Sequence, residues 1–447
     1  MTTTNTDKHM PHPTAISALL LILLLLAAIS SSSGAEAPAP SKPANAEYPN
    51  FNNGESNPKD PGIEWVQAVA VSAPAYGADV KGNVTVTFRA PGMTKAVASC
   101  WQQPTTAIPA AWGHDVDVAA DISLDADGAG SFVFPADQFP NGPLTVRIHA
   151  RDNGKKQDLC QLQLYNKGGV VWNQGIPKTD PPAAKGMKLA FSDDFDGPLS
   201  ISRDGKEARY QAHKTGGGDF SGWPFSNPDG ENNPFSQVGT FLRIRASRKP
   251  GTKGSTGILS SANEQGGGFF ASAPCYFECR FIAQSAPGTW PAFWLLTKGC
   301  LDKSRPKDGG TDELDIIEAY GGQGKGNPNF PDYAIVSHYW NAKGPDGKAK
   351  KADHVDVKMT AMGGKSSWYT TFHTYAVKVT ETDTIYYFDD MEVLRHPSGQ
   401  LTKTEPLWFL VNYAIGGISG WKIDLARYGN VSDMYVDFVR VYQGEKK

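Results

Sequence analysis

The sequence predicts an all-β protein made of two β-sandwiches, and three observations support this prediction. The 47 glycines and 32 prolines make up about 18% of the 447 residues, against about 12% in an average protein, which favours turns over long helices. Short runs that alternate apolar and polar residues with period two recur along the chain. No amphipathic helix pattern is longer than about three turns. A helical core is therefore not expected.

Composition and charge exclude several classes of protein. Hydrophobic residues make up 40% of the chain and charged residues 20%, which is too apolar for a disordered protein and too polar for a multi-span membrane protein. The 43 Lys and Arg residues against 46 Asp and Glu give a net charge of −3. No basic field is available to hold a nucleic-acid backbone, so we expect no nucleic-acid partner.

Residues 1–35 are predicted to form a signal peptide. A polar start is followed by an apolar run from Ala15 to Ile29 and then by small residues, with cleavage expected after Ala35 or Ala37. The alternative is a membrane anchor, but a spanning helix needs about 20 residues. We therefore expect a secreted protein, periplasmic or extracellular, with no stable membrane anchor after cleavage.

The rest of the chain is expected to divide into four segments: a linker at 36–62, a β-sandwich at 63–166, a second linker at 167–187 and a large all-β domain at 188–447. The first sandwich has short strands at regular spacing and resembles a bacterial immunoglobulin-like module. Asp127-Gly128 and Asn153-Gly154 are typical of hairpins. Asp125–Gly128 also looks like part of a calcium loop, but the downstream Glu is missing, which favours a turn.

The five cysteines suit an oxidising compartment without requiring one. Cys100 and Cys160 fall in the first sandwich and are expected to form a disulfide. Cys275 and Cys279 are four residues apart in a strand-like segment, or about 13 Å, which is too far for a bridge between them. Cys300 is left as a partner for one of these two.

The segment with the most chemical content is Asp312–Tyr320, which contains three acids. In a regular strand Glu313 and Asp315 share one face, whereas Glu318 would face the core. A one-residue bulge near Ile316-Ile317 would bring Glu318 to the side of the other two carboxylates. The pattern therefore predicts a bulged strand that presents three acids on one face.

Three acids on one face repel one another, and with partial burial this raises at least one pKa. One protonated and one ionised carboxyl is what a retaining glycosidase requires, with the two groups about 5–5.5 Å apart. The alternatives are a solvated acidic strand or a calcium-binding edge. The apolar residues within the segment favour a packed strand.

Aromatic residues surround this segment. Trp290 and Trp294 share one face of a predicted strand and would form a platform for sugar rings, although aromatic residues in strands usually belong to the core. His338 and Trp340 also share a face. A neutral histidine beside a carboxylate can hydrogen-bond it, but an ordinary packed histidine is the commoner case.

Taken in order, these pieces resemble the family-16 glycoside hydrolases, a group that includes laminarinases, lichenases, agarases and κ-carrageenases. The pieces that carry the resemblance are Phe191–Gly197, Tyr276–Arg280, Trp290–Trp294, Glu313–Glu318, His338, Phe372–Tyr375, Asn412–Gly417 and the closing strand with Asp437. They span nearly all of 188–447 and say nothing about the residues before it.

The resemblance implies a jelly-roll sandwich with a polysaccharide cleft across its concave face. Glu313 would be the nucleophile, Glu318 the acid/base and Asp315 the residue that holds the nucleophile. The subsites near the cleaved bond would be lined by Trp290, Trp294, His338 and Trp340. Some members of the family carry a structural calcium on the convex side, and Asp437 fits that position with Asp194 as a neighbour. No cofactor is expected for catalysis.

The sequence therefore predicts a secreted, endo-acting, retaining β-glycanase whose partner is a polysaccharide, with β-1,3- or mixed-linked β-glucan as the first choice. The alternatives are a galactan or exopolysaccharide hydrolase, a transglycosylase of the same fold, and a non-catalytic carbohydrate-binding protein. A binding protein has no need for two paired glutamates, which argues against the last of these.

Overall fold

The computed structural model describes residues 63–105, 113–215, 219–306, 309–323, 327, 329–330, 332–343, 346–357 and 367–445. The predicted signal peptide and first linker lie outside these residues. The first part of the described chain forms short strands, as predicted: β1 Glu64–Trp65, β2 Ala70–Ala73, β3 Asp79–Val80, β4 Asn83–Arg89, β5 Lys95–Gln102, β6 His114–Ser123, β7 Ala129–Pro135, β8 Gly142–Arg151 and β9 Lys156–Asn166.

These strands form a sandwich of two sheets. The larger sheet has the order β1-β9-β8-β5-β6 with β3 beside β9, and the smaller has the order β2-β4-β7. Asn153-Gly154 does connect the hairpin of β8 and β9. Asp127-Gly128 instead lies in a turn that passes from one sheet to the other, closed by the Asp125 side chain accepting from Asp127 N and Ala129 N. The immunoglobulin-like resemblance stays a prediction.

A second and larger sandwich follows, made of the strands β10 Lys188–Asp193, β11 Ile201–Ser202, β12 Tyr210–Gln211, β13 Phe235–Val238, β14 Phe241–Ser247, β15 Ile258–Ser260, β16 Cys275–Ala283, β17 Thr289–Thr297, β18 Thr311–Glu318, β19 Tyr333–Trp340, β20 Asp353–Val357, β21 His373–Val379, β22 Asp383–Phe388, β23 Met391–Pro397, β24 Leu407–Ile415 and β25 Val431–Gln443. One short helix, α1, covers Gln400–Thr404. Within the described residues, no helix has the length and hydropathy to cross a bilayer.

The second sandwich has two eight-stranded sheets. The convex-side sheet, our name for the first, has the order β13-β14-β25-β16-β21-β22-β23 with β10 beside β25. The cleft sheet, our name for the second, has the order β11-β12-β15-β24-β17-β18-β19-β20. Alternate residues such as Phe277, Phe293 and Leu314 fill the core between the two sheets, so their sequence neighbours point outward. This jelly-roll-like β-sandwich is the predicted fold class.

The predicted disulfides are wrong, because all five cysteines are free. Cys100 on β5 and Cys160 on β9 lie in the same sheet with β8 between them, a lateral separation of about 9.6 Å against the limit of about 7 Å. Cys275 and Cys279 are buried in the core. Cys300 lies at the cleft, on the other sheet, so it cannot reach either one.

The segment predicted as the second linker is packed on the outer face of the convex-side sheet. Asp180 accepts a hydrogen bond from the Tyr442 hydroxyl at 2.8 Å, and Ala183 O accepts one from Lys378 Nζ at 2.8 Å. Ala184 is buried against Tyr276 and Tyr442. Residues 167–187 therefore act as part of the packed structure and not as a free tether.

Candidate active site

A cleft of about 770 Å³ lies on the outer face of the cleft sheet. Side chains of β17, β18, β19 and β24 line it. The ionisable residues that line it are Lys214, Cys300, Glu313, Asp315, Glu318, Tyr320, His338 and His354. All three acids predicted from the sequence are therefore brought together in one cavity.

A one-residue bulge in β18 brings the third acid into this cleft. Along β17 the pairing register steps from Ile317 directly to Asp315, which leaves Ile316 as the extra residue. The pairing of β18 with β19 shifts across the same interval. Ile316 and Ile317 are both buried in the core, so Glu318 points to the cleft together with Glu313. The bulge predicted from the spacing is confirmed.

Glu313 lies at the Trp340 end of the acidic row. The Trp340 indole N–H donates to its Oε2 at 3.1 Å, and one oxygen of Glu313, one of Asp315 and one ring nitrogen of His338 lie within 4.8 Å of one another. Burial raises the pKa of Glu313, while the Trp340 hydrogen bond and the positive charge of Lys214 lower it. These two contacts favour the ionised carboxylate.

Glu318 has a more apolar environment at the other end of the row. The Trp290 indole N–H donates to its Oε1 at 3.2 Å, and the ring of Tyr320 stacks on Trp290 at 5.6 Å. Burial, followed by the negative charge of Glu313, raises the pKa of Glu318 to about 7. This carboxyl can therefore both give and take a proton near neutrality.

Asp315 lies between the two glutamates and is 4% exposed. Burial and the charges of Glu318 and Glu313 raise its pKa well above its ordinary value. Its Oδ2 lies 3.5 Å from His338 Nε2, which is longer than a hydrogen bond, and makes no hydrogen bond within the described part of the chain. A protonated Asp315 is thus free to donate to a neighbouring carboxylate.

The tryptophans of the cleft differ in exposure: two are covered by neighbouring side chains, and the ring of Trp340 is open to solvent. Trp290 and Trp294 are only 5% and 6% exposed, since the edge of Phe220 packs on both. Trp340 is 49% exposed and stacks on His338 at 4.7 Å. The open face for a sugar ring therefore lies at Trp340, and the two indoles predicted as a platform form the walls of the cleft.

Several lining residues escaped the sequence reasoning, among them Lys214, Asn412 and Tyr320. Lys214 is the one lysine or arginine among the described lining residues, with its Nζ 5.8 Å from the ring centroids of Phe220 and Trp294. Asn412 accepts the Trp294 indole N–H at 2.8 Å, and Tyr320 stacks on Trp290. Asn412 and Tyr320 belong to segments that the sequence analysis identified, Asn412–Gly417 and Asp312–Tyr320, so they could have been found. No local pattern around Lys214 indicates that it lies near the acids.

The donor set at Asp437 fits an ion pair and not a calcium ion. Arg280 Nη1 lies 2.5 Å from one of its oxygens, and Gly175 N donates to the other at 2.8 Å. Asp194 lies close enough to raise the pKa of Asp437, although burial raises it more. A guanidinium therefore stands where the calcium was expected. The calcium stays a prediction, and these contacts give it no support.

A β-sandwich with a row of acids in an aromatic-walled cleft is the arrangement expected of a glycoside hydrolase. Residues 245–413 match the model of the glycosyl hydrolases family 16, and this stretch contains all three acids. Over this stretch the chain is thus similar to the family-16 glycoside hydrolases.

The chain is similar to curated proteins of this kind over part of its length. It is 30% identical over 230 residues to the endo-1,3-1,4-beta-glycanase EglC of Rhizobium meliloti (strain 1021), covering 49% of this chain and 42% of that protein. It is 27% identical over 181 residues to a beta-glucanase of Rhodothermus marinus, covering 37% and 56%. The chain therefore spans about half the length of the curated relatives it matches.

Among solved structures, the laminarinase catalytic domain of Thermotoga petrophila RKU-1 is similar with a TM-score of 0.43 and 18% identity, covering 58% of this chain and 99% of that one. The laminarinase of Rhodothermus marinus is similar with a TM-score of 0.43 and 21% identity, covering 58% and 98%.

Proposed function

We propose that the protein is a secreted, endo-acting, retaining β-glucanase that hydrolyses internal bonds of a β-1,3- or mixed-linked glucan. The observation that carries the proposal is the bulge at Ile316, because it brings Glu318 into the same cleft as Glu313 and Asp315. The different surroundings of the two glutamates then assign their roles.

In the first step Glu313 acts as the nucleophile. Its carboxylate attacks the anomeric carbon, while Glu318 gives its proton to the glycosidic oxygen and the C–O bond to the leaving sugar breaks. The Trp340 N–H and Lys214 favour the ionised Glu313. The pKa of Glu318 at about 7 supports its role as the acid. The products of this step are a covalent glycosyl-enzyme and the released leaving part of the glucan.

In the second step Glu318, now ionised, takes a proton from water. The oxygen of that water attacks the anomeric carbon, and the bond to Glu313 breaks, which returns both residues to their initial protonation states. A protonated Asp315 stabilises the returning carboxylate charge of Glu313 by donating a hydrogen bond to it. Two inversions give overall retention.

The choice of substrate rests on the relatives, two of which are named as an endo-1,3-1,4-beta-glycanase and a beta-glucanase. The half-exposed Trp340 offers a ring for stacking, and a cleft of this volume on a sheet face suits an extended chain. We therefore place an internal segment of the glucan across β17, β18 and β19.

The test is reducing-end release from a panel of β-1,3-glucan, mixed-linked glucan and galactans. We expect wild type to cleave the glucans to oligosaccharides and Glu313→Gln to be at least about a thousandfold slower. Glu231→Gln, at an exposed glutamate that pairs with Lys249, is the matched control and should equal wild type. Proton NMR of the first product should show the β-anomer.

Other outcomes select the alternatives. Cleavage of galactan alone would replace the substrate and keep the mechanism. Products longer than the substrate at high acceptor concentration would indicate a transglycosylase. If wild type and Glu313→Gln bound glucan equally and neither released reducing ends, the protein would be a binding protein and the enzymatic proposal would be wrong.

Secretion is supported by the apolar run from Ala15 to Ile29 and the small residues after it. Expression of the full chain, followed by fractionation and N-terminal sequencing of the mature protein, tests this part. A start at Glu36 or Pro38 in the exported fraction is expected. Retention of the intact chain in the cell membrane would contradict it.

A further inference from the structure

The two sandwiches are joined by a buried ion pair. Arg427, in the segment between β24 and β25, donates two hydrogen bonds to Asp158 of β9 at 2.8 and 2.9 Å. The side chains are 7% and 0% exposed. Asp158 also accepts from Ala68 N and Val69 N at 2.9 and 2.7 Å. A buried pair with all these bonds requires a fixed interface, because separation of the sandwiches would leave both charges unpaired.

A second set of contacts surrounds Gln161, also on β9. Its backbone O accepts from Gln284 Nε2 at 2.9 Å, its Oε1 accepts from Ser285 N at 3.2 Å, and its N donates to the Tyr428 hydroxyl at 3.0 Å. All three partners belong to the second sandwich. The first sandwich is therefore held at two positions of one strand, Asp158 and Gln161.

This interface reaches the segment that follows the acidic strand β18. Gln323 Nε2 donates to Leu159 O of β9 at 3.1 Å, and Gly322 N donates to Ser285 Oγ at 2.9 Å. The Trp421 indole N–H donates to Gly321 O. Residues 321–323 are thus held by β9 on one side and by the segment after β24 on the other.

The same segment leads directly to the proposed acid/base. Tyr320 precedes it and stacks on Trp290 with an interplanar angle of 21°. Trp290 in turn donates its indole N–H to Glu318. A displacement of residues 321–323 would move the ring that fixes Trp290, and so change the hydrogen bond and the apolar packing around Glu318.

We propose that the N-terminal sandwich is a positioning element of the catalytic site, and that Asp158 and Gln323 act through Tyr320 and Trp290 to hold Glu318. The catalytic part of this statement rests on the proposed function. A spacer or a freely tethered binding module would need no buried ion pair and no contact with the segment after β18.

The experiment compares Asp158→Asn and Gln323→Ala with Asp79→Asn in the full chain. Asp79 lies in the same sandwich in an exposed pair with Lys167 and is the matched control. We expect Asp158→Asn and Gln323→Ala to lower kcat by about tenfold with KM little changed. The descending limb of the pH profile, which reports Glu318, should shift in both and stay unchanged in the control.

Hydrogen exchange of the amides at 321–323 gives a readout that does not need activity. Faster exchange in Asp158→Asn, with no change in Asp79→Asn, is expected. If Asp158→Asn does not fold, the pH profile and hydrogen exchange of Gln323→Ala test the proposal, because that variant keeps the buried pair of Arg427 and Asp158. Wild-type pH profiles and unchanged exchange in the folded variants would overturn the proposal. A wild type that cleaves no polysaccharide of the panel would overturn the proposed function, and the exchange result would still decide whether the interface holds this segment.

Discussion

The acids of the cleft and the buried acids of the convex-side sheet differ in their charge partners. On the outer face of the convex-side sheet, each buried acid pairs with an arginine: Glu278 with Arg440, Asp437 with Arg280 and Asp433 with Arg245. On the cleft sheet, the three acids that line the cleft have no arginine among the described lining residues, which include three tryptophans, two histidines and one lysine. Both sets lie on central strands of similar burial.

The difference shows what each set of acids does. A buried acid with an arginine is fixed in charge and geometry, and removing one partner is costly because the other is left unpaired. The cleft acids repel one another, so their protonation can change during a reaction. The repulsion among the cleft acids therefore lowers stability, which fits their proposed catalytic role, and the paired acids of the convex-side sheet have no such repulsion. The four predictions below test this contrast.

The largest effect is expected from Glu318→Gln. Glucan cleavage should fall by about 10²–10⁴-fold, the usual contribution of a general acid/base, while the free energy of unfolding stays equal or rises because one repelling charge is gone. Aryl glycosides, whose leaving groups need no proton, should lose much less. Kinetics on both substrates checks this, and an equal loss on both would contradict the assignment of Glu318.

The matching change on the convex-side sheet should affect stability instead. Asp437→Asn leaves Arg280, whose side chain is 5% exposed, without its charge partner, and should cost about 3–5 kcal/mol of unfolding free energy in urea titrations. The control Glu392→Gln breaks a more exposed pair with Arg395 and should cost at most about 1 kcal/mol. A loss at Asp437 no larger than at Glu392 would remove the contrast between the sheets.

The pH dependence of stability should carry the signature of Glu318. Burial raises its pKa from 4.5 to about 7 in the folded protein, so between these values the folded state binds more protons than the unfolded state. Stability therefore falls as pH rises from about 4.5 to 7, by at most about 3 kcal/mol from this group. Unfolding of wild type and Glu318→Gln across this range measures it. If the unfolding free energies of the two proteins changed in parallel with pH, this contribution of Glu318 would be contradicted.

The smallest effect concerns Lys214, whose charge lowers the pKa of Glu313. In Lys214→Met this pKa should rise, which moves the ascending limb of kcat/KM to higher pH by a fraction of a unit and narrows the profile. Lys214→Arg keeps the positive charge, so the ascending limb of kcat/KM should stay at its wild-type pH. A shift of the ascending limb to lower pH in Lys214→Met would show that the lysine does not act on the nucleophile.

The fold class and the bulged acidic strand could be predicted because their signals are local. Period-two alternation identifies strands wherever one face is buried, and the spacing of Glu313, Asp315 and Glu318 required a bulge for all three to face one side. The disulfide prediction was wrong for the opposite reason. Cys100 and Cys160 lie in one predicted module, but the strand order of the sheet places β8 between them, and no local pattern encodes that order.

The sequence by itself determined the β-sandwich architecture, the position of the bulge and the identity of the three acids, since each follows from residue type and period within a few positions. Only the tertiary structure decided that Lys214 faces those acids, that arginines pair with the acids of the other sheet, and that β9 of the first sandwich holds the segment after β18. These contacts join residues about 100 to 190 positions apart in the chain. Their partners are set by sheet order and packing, which depend on the whole fold.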